Sequence, residues 1–248
     1  MEGLEKAMRY LAEELSTPHI REHEDMLFAD KKMYRVHQEQ PVANPFVMTT
    51  LSGFVDYIQS NTDKMRKKML VHIESPYTVS LQSMLDEDRI REKMVVVNAK
   101  TPDFTYGKFY ASEIFTIKLM AQFADTDGST AKDILLKYTG TAQAGTVRNY
   151  GDDGVSQSAV IQKTLTTKEE AVVPNPVTLR PYRTFLEVEQ PESQFIFRAK
   201  DADEDVAFAL FEADGGAWEI TAMKSIKEYL EKALADISIP DTYFTIIS

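Results

Sequence analysis

Apolar positions recur at helical spacing in several places along the chain. Leu4, Met8, Leu11 and Leu15 form one stripe over residues 3–15, which predicts an amphipathic helix. "STPHI" ends it, because Pro18 disfavours helix for Thr17. In "TTLSGFVDYIQSN", Leu51, Phe54, Val55 and Ile58 follow i, i+3, i+4, i+7, with Thr49 or Thr50 as the N-cap. "ASEIFTIKLMAQFA" reads as a helix of mixed pattern. "DGGAWEITAMKSIKEYLEKALAD" reads as a turn and a helix, with Ile220, Met223, Ile226, Leu230 and Leu234 on the buried face.

Strand patterns fill the intervals. Residues 26–37, "MLFADKKMYRVH", read as two short strands around an Asp30-Lys31 turn. "MLVHI" and "YTVSL" are strands broken at Pro76. "REKMVVVNAK" is a third, with Val95–Val97 expected to be buried on both faces. "KDILLKYTGTAQ" fits helix or strand, and its second half reads as strand. Near residue 140 the pattern turns mostly β. "AGTVRNYGDDGVSQSAVIQKTL" gives two strands joined near Asp153-Gly154, a hairpin signal. "FIFRAK" and "VAFALFEA" flank the acidic turn "DADED". "TYFTIIS" is a terminal strand that must join a sheet to be ordered. The expected fold class is α+β, a mainly antiparallel β-sheet with flanking helices in one compact two-lobed body. The lobes are 1–140, mixed α/β, and 141–248, β-rich with a C-terminal helix and strand; a single domain is the alternative.

Composition narrows the function classes. Hydrophobic content of 43% over 248 residues supports a packed core. There is no cysteine, which removes disulfides, thiolate zinc sites and a cysteine nucleophile together. The acidic, amphipathic N-terminus does not fit a signal peptide, and no apolar run is long enough to span a bilayer. Net charge is -11, of which residues 151–248 carry -9. Such a surface repels phosphate backbones at long range, which disfavours general duplex-DNA binding.

Catalytic and metal motifs do not assemble. His19 and His23 have the i, i+4 spacing of a helical metal pair, but Ile20 stands where a zincin needs Glu. "DTDGST", from Asp125, lacks the EF-hand glycine and glutamate positions. "GTAQAG" is neither a Walker nor a Rossmann loop, and no Gly-x-Ser-x-Gly elbow occurs. Asp103, Lys200 and Asp201 are pieces of a metal-dependent nuclease pattern of a kind common by chance in acidic chains. No catalytic residue, metal site or cofactor is therefore assigned. The one basic run holds Lys64, Arg66, Lys67 and Lys68, either a solvated helix end or a set of phosphate contacts.

The densest stretch is "LRPYRTFLEVEQPESQFIFRAK", residues 179–200. Pro174, Pro176 and Pro181 keep its approach extended and out of a central strand. Phe195 and Phe197 alternate with Ile196 and Arg198. Arg180, Arg183 and Arg198 have Glu187, Glu189 and Glu192 as nearby partners. One reading is a long connection crossing the sheet, pinned by Tyr182, Phe185 and ion pairs. The other is a binding rim built from Arg180, Tyr182, Arg183, Phe185 and Arg198, since arginines and aromatics are enriched at hot spots.

"DDGVSQSAVIQK", "PNPVTLRPYRTFLEVEQPESQFIFR" and "LFEADGGAWEITAMKSIKEYL" resemble the YfdQ-like family of phage and prophage proteins, in its branch from phages of Gram-positive bacteria. The resemblance covers most of the chain and is strongest from about 140 to 235. It implies a phage protein acting in the host cytoplasm, from genes found among early replication and recombination functions. It carries no catalytic residues over. The expectation is a non-enzymatic binding protein that engages a host factor, or a defence component or small signalling ligand. Its partner would be a host or phage protein, without a membrane, and homo-oligomers are compatible. The alternatives are single-stranded DNA binding in phage recombination, through the basic run and exposed aromatics, and a metal-dependent nuclease.

Overall fold

The computed structural model describes residues 2–23, 26–30, 43–65, 67–86, 89–125, 130–144, 147–152, 157–164, 167–202, 205–239 and 242–248. Among these the chain is α+β, with five helices and fourteen strands. It forms two compact units, Met1–Val42 and Ala43–Ser248.

The first unit contains α1 (Glu2–Ser16), β1 (Ile20–His23) and β2 (Met26–Ala29). The helix forms as its stripe predicts, yet Leu4, Met8, Leu11 and Leu15 are all exposed. β2 pairs antiparallel with β1. The hairpin is closed from outside: the His19 backbone N–H donates to Asp30 Oδ1 at 2.7 Å, and Asp30 returns a backbone bond at 3.2 Å. The expected Asp30-Lys31 turn, from Lys31 onward, lies outside the described residues. Ile20–His23 is strand rather than helix and His19 lies just before it, so His19 and His23 do not share a helical face. In a strand, four residues span about 13 Å, too far for one metal ion.

The second unit continues with β3 (Phe46–Met48), α2 (Leu51–Ser60), β4 (Lys67–Ser75), β5 (Thr78–Ser83), β6 (Lys93–Asn98) and β7 (Tyr110–Ala111). Then come α3 (Ser112–Gln122), α4 (Thr130–Ala144), β8 (Val147–Asp152), β9 (Gln157–Thr164), β10 (Thr167–Val173) and β11 (Val177–Leu179). β12 (Ser193–Ala202), β13 (Asp205–Glu212), α5 (Ala217–Ala235) and β14 (Thr242–Ile247) complete it. The strands form a five-stranded sheet, β14-β4-β5-β6-β3, a four-stranded sheet, β11-β12-β13-β7, and a three-stranded sheet, β10-β9-β8. Pairing is antiparallel except at the two edges of the five-stranded sheet, where β14 joins β4 and β3 joins β6 in parallel. Asp153 and Gly154 lie outside the described residues, while the strands they join pair antiparallel.

Two cores result. In the first, Val71, Ile73, Val79, Leu81, Val95 and Val97 of the five-stranded sheet pack against α2 and α5. Thr50 caps α2, accepting from the Gly53 N–H at 3.2 Å. Asn61, at φ 45°, ends it. Val96 is only half-buried, so β6 alternates rather than burying both faces. On α5 the buried positions are Trp218, Ala222, Ile226, Leu230 and Leu234, while Ile220 is 76% exposed. At 3.6 residues per turn, Ile220 sits about 120° from Ile226, which removes it from the buried face.

In the second core, α3 and α4 pack on the four-stranded sheet through a cluster of rings. Phe197 and Phe208 stack at 5.6 Å, with Phe115 and Tyr138 against them. The stretch read as strand, the second half of "KDILLKYTGTAQ", is helical. Its Tyr and Thr residues favour strands intrinsically, but in α4 Leu135, Tyr138 and Thr139 all become fully buried on one face, and tertiary packing wins. A cut at residue 140 falls inside α4, and each core draws on chain from both sides of it.

Candidate functional site

The segment between β11 and β12 runs from the second core into the first. Val177 and Leu179 are buried in the second; Phe185 and Val188 are buried in the first. It has almost no regular structure, so its backbone polar groups need other partners. One buried side chain supplies most of them. Gln190 Oε1 accepts from the N–H groups of Arg183 (3.0 Å) and Thr184 (3.2 Å), and Nε2 donates to the carbonyls of Phe185 (2.8 Å) and Val188 (3.2 Å). Thr184 Oγ1 then donates to the Pro76 carbonyl in the β4–β5 turn at 2.6 Å. Farther up, the Tyr182 N–H donates to the Gln122 carbonyl at the end of α3 (2.9 Å).

This scaffold places Arg183 at the seam between the cores. Its side chain is 8% exposed. The guanidinium lies 3.9 Å from the ring centroid of Trp218, 5.7 Å from Phe195 and 6.0 Å from Tyr106. Nη1 reaches Glu212 at 2.7 Å, and Nη2 bonds Ser193 and lies 3.8 Å from Asp214. Burial pushes this guanidinium below its ordinary range, while Tyr106, Glu212 and Asp214 hold the charge on it. Trp218 is aimed here by the turn after β13. Gly215 and Gly216 take φ of 63° and 81°, which side chains rarely adopt, and Asp214 Oδ1 accepts from the Gly216 N–H.

Above the stacked pair lies a cavity of about 310 Å³. Tyr77, Phe104, Tyr106, Tyr182 and Trp218 give it aromatic walls, and Pro102 and Pro181 stiffen them. Gln122, Arg183, Glu212 and Glu219 are its main polar groups. Gln122 Oε1 and Arg183 Nε are buried without a hydrogen-bond partner among the described residues. The electrostatic setting changes with depth. Burial raises the Tyr106 hydroxyl above its ordinary range, and the strongest charge acting on it is Arg183, which opposes the rise. Burial also raises Tyr77 at the mouth, but there the strongest charge is Glu219, which adds to the rise. Arg183 is thus the strongest charge acting on Tyr106 and Glu219 the strongest acting on Tyr77, while Glu212 acts on both.

Of the predicted rim, the structure brings only Tyr182 and Arg183 to this cavity. Arg180 pairs with Glu189 (3.3 Å) and Glu192 (3.0 Å). Phe185, 1% exposed, is a core residue with no face for a ligand. Arg198 is half-buried and donates to the Phe197 carbonyl. Arg183 takes Glu212 and Asp214 rather than the nearby glutamates. Glu187 accepts instead from Ser52 at the start of α2. Trp218, Tyr77, Tyr106, Gln122 and Gln190 were not singled out by sequence. The single tryptophan, two residues after the Gly215-Gly216 pair, is the available signal.

The basic run lies elsewhere. Lys64, Lys67 and Lys68 are exposed, Lys64 and Lys67 with φ of 50° and 82°, and Arg66 lies outside the described residues. Parallel pairing sets Tyr243, 73% exposed, opposite Lys68. Asp103 meets Lys118 through its carbonyl, and Lys200 lies over the Phe109 ring. Among the described residues no group of three His, Cys, Asp or Glu is placed to hold a metal ion, and no helix is long and apolar enough to cross a membrane. Comparison with protein-family models, curated proteins and solved structures finds no match.

Proposed function

We propose that this is a non-enzymatic binding protein of a phage, which engages a host factor or a defence component in the infected cell through the cavity over Arg183 and Trp218. One observation carries the reading: a buried guanidinium, stacked on the chain's single tryptophan, floors an aromatic-walled cavity held by a Gln190-stapled segment. Aromatic and arginine side chains in a fixed, partly desolvated pocket are the usual anchors of recognition. The phage setting and the host cytoplasm rest on the YfdQ-like resemblance. The test is copurification from infected cells with tagged wild type and with Tyr77→Ala. Tyr77 is 40% exposed, so its truncation leaves the fold intact. A partner retained by wild type and lost by the variant is expected; a partner held equally by both overturns the cavity as the site.

A second reading, single-stranded DNA binding, draws on the pairing of exposed Tyr243 with Lys68, beside Lys67. A ring next to cations is the local chemistry of a stacking groove. The overall acidity of the chain weighs against it.

A further inference from the structure

We infer that the cavity takes a cationic side-chain group, an alkylammonium or guanidinium on a short apolar stem, presented by a basic segment of a protein partner. The inference rests on the cavity being the binding site and names its ligand.

The site already binds one such group of its own. Arg183 is held by the Trp218 ring at 3.9 Å and by Glu212 at 2.7 Å, with Asp214 beside them. One layer outward the same two ingredients, a ring and a carboxylate, recur. The Tyr77 ring stands 5.9 Å from Trp218 and is 40% exposed, and Tyr182 is half-buried beside the mouth. Glu219 is exposed there. A ring face and a carboxylate together select cations, the face through its quadrupole and the carboxylate through its charge.

Charge decides against the opposite class. Arg183 faces Glu212 and Asp214, which already outnumber it, and Glu219 adds a further negative charge at the rim. A phosphate or carboxylate entering the cavity would meet the exposed carboxylates of Glu212 and Glu219 as well as the buried guanidinium. Residues 151–248, which contribute Tyr182, Arg183, Glu212, Trp218 and Glu219 to the lining, carry a balance of -9, which favours basic partners. Size agrees: about 310 Å³ is at the lower end of ligand cavities and suits one side chain rather than a large cofactor.

Trp218 is the only tryptophan, so its emission reports the site directly. The full chain would be titrated with an Arg/Lys-rich hexapeptide, with spermidine, with inorganic phosphate and with uridine. Saturable change with the peptide is expected, and none with phosphate or uridine. Glu219→Lys should weaken the peptide about tenfold or more, since it replaces attraction by repulsion, and Tyr77→Ala about 2–5-fold. Spermidine binding at least tenfold tighter than the peptide would keep the cationic chemistry but overturn the protein source. Saturation by phosphate or uridine, undiminished in Glu219→Lys, would overturn the cationic class. Silence of all four probes, with copurification still lost in Tyr77→Ala, overturns the ligand class alone. Copurification unaffected by Tyr77→Ala overturns the underlying reading.

Discussion

Tyr138→Phe should stabilise this protein, although it removes a polar group from a residue at the centre of a core. Tyr138 is 1% exposed and stands edge-on to Phe197 at 5.5 Å and Phe208 at 6.0 Å. Its hydroxyl is buried with no hydrogen-bond partner among the described residues. A buried hydroxyl left unpaired costs about 1–3 kcal/mol of desolvation. Phenylalanine keeps the ring contacts and removes that cost, so a gain of about 1–2 kcal/mol is expected at pH 7. That corresponds to roughly 2–4 °C in Tm for each kcal/mol in a chain of this size. The gain should also depend on pH. Burial pushes the Tyr138 hydroxyl up to about 12. The unfolded chain begins to lose this proton near pH 10, while the folded chain retains it, so wild-type stability falls as pH rises between those values. The phenylalanine variant lacks this loss, and its advantage should widen from pH 10 to 12. Urea unfolding at pH 7 and at pH 10.5, read as the midpoint at unchanged slope, measures both parts. A variant less stable than wild type at pH 7 would show that the hydroxyl has a partner, such as an ordered water, and would refute the reasoning.

Other outcomes follow from the same contacts. Leu230→Ala should cost about 2–5 kcal/mol by urea unfolding, and Ile220→Ala less than about 0.5, because one is fully buried and the other lies off the packed face. Gln190→Leu should cost about 2–4 kcal/mol and loosen Arg183 and Thr184 to hydrogen exchange, since four bonds to buried backbone groups are lost. Glu74 is held below its ordinary range chiefly by the Ser80 hydroxyl, and also by Lys93. A depressed carboxylate stabilises above its unfolded value near 4.5 and loses that contribution as pH falls through the folded value, so Glu74→Gln should flatten the acid limb of the stability profile below about pH 4.5. If single-stranded DNA binds at Lys67 and Lys68, their double replacement by Ala should lower the slope of log affinity against log salt by about 1.4; an unchanged slope removes that reading.

Local periodicity was sufficient wherever a segment's own pattern and its final environment agreed. α2 could be read to its cap because Thr50 and the i, i+3, i+4, i+7 stripe act within one helix. β12 and β13 could be read because alternation places Phe195 and Phe197 on the buried face whatever the partner strand. The need of "TYFTIIS" for a sheet was also local, since a lone strand leaves its backbone unpaired. Which sheet, and its parallel pairing with β4, depended on α5 carrying the chain back to the first core. Propensity failed in α4, where Tyr and Thr residues gain more by burying one helical face against α3 and the sheet than they lose in preference.

Apart from Tyr182 and Arg183, the cavity lay beyond local reading. Arg183 chose Glu212 and Asp214 over the glutamates within ten residues of it, because β13 and its glycine turn bring those carboxylates and Trp218 to the seam. Side-chain types and short-range pattern determined α1, α2, α3 and α5, the strands β4, β5, β6, β12 and β13, and that an arginine-rich connection would be held in place. Only the tertiary structure decided what it meets, since charge pairing and ring stacking depend on distances through space that spacing along the chain does not encode.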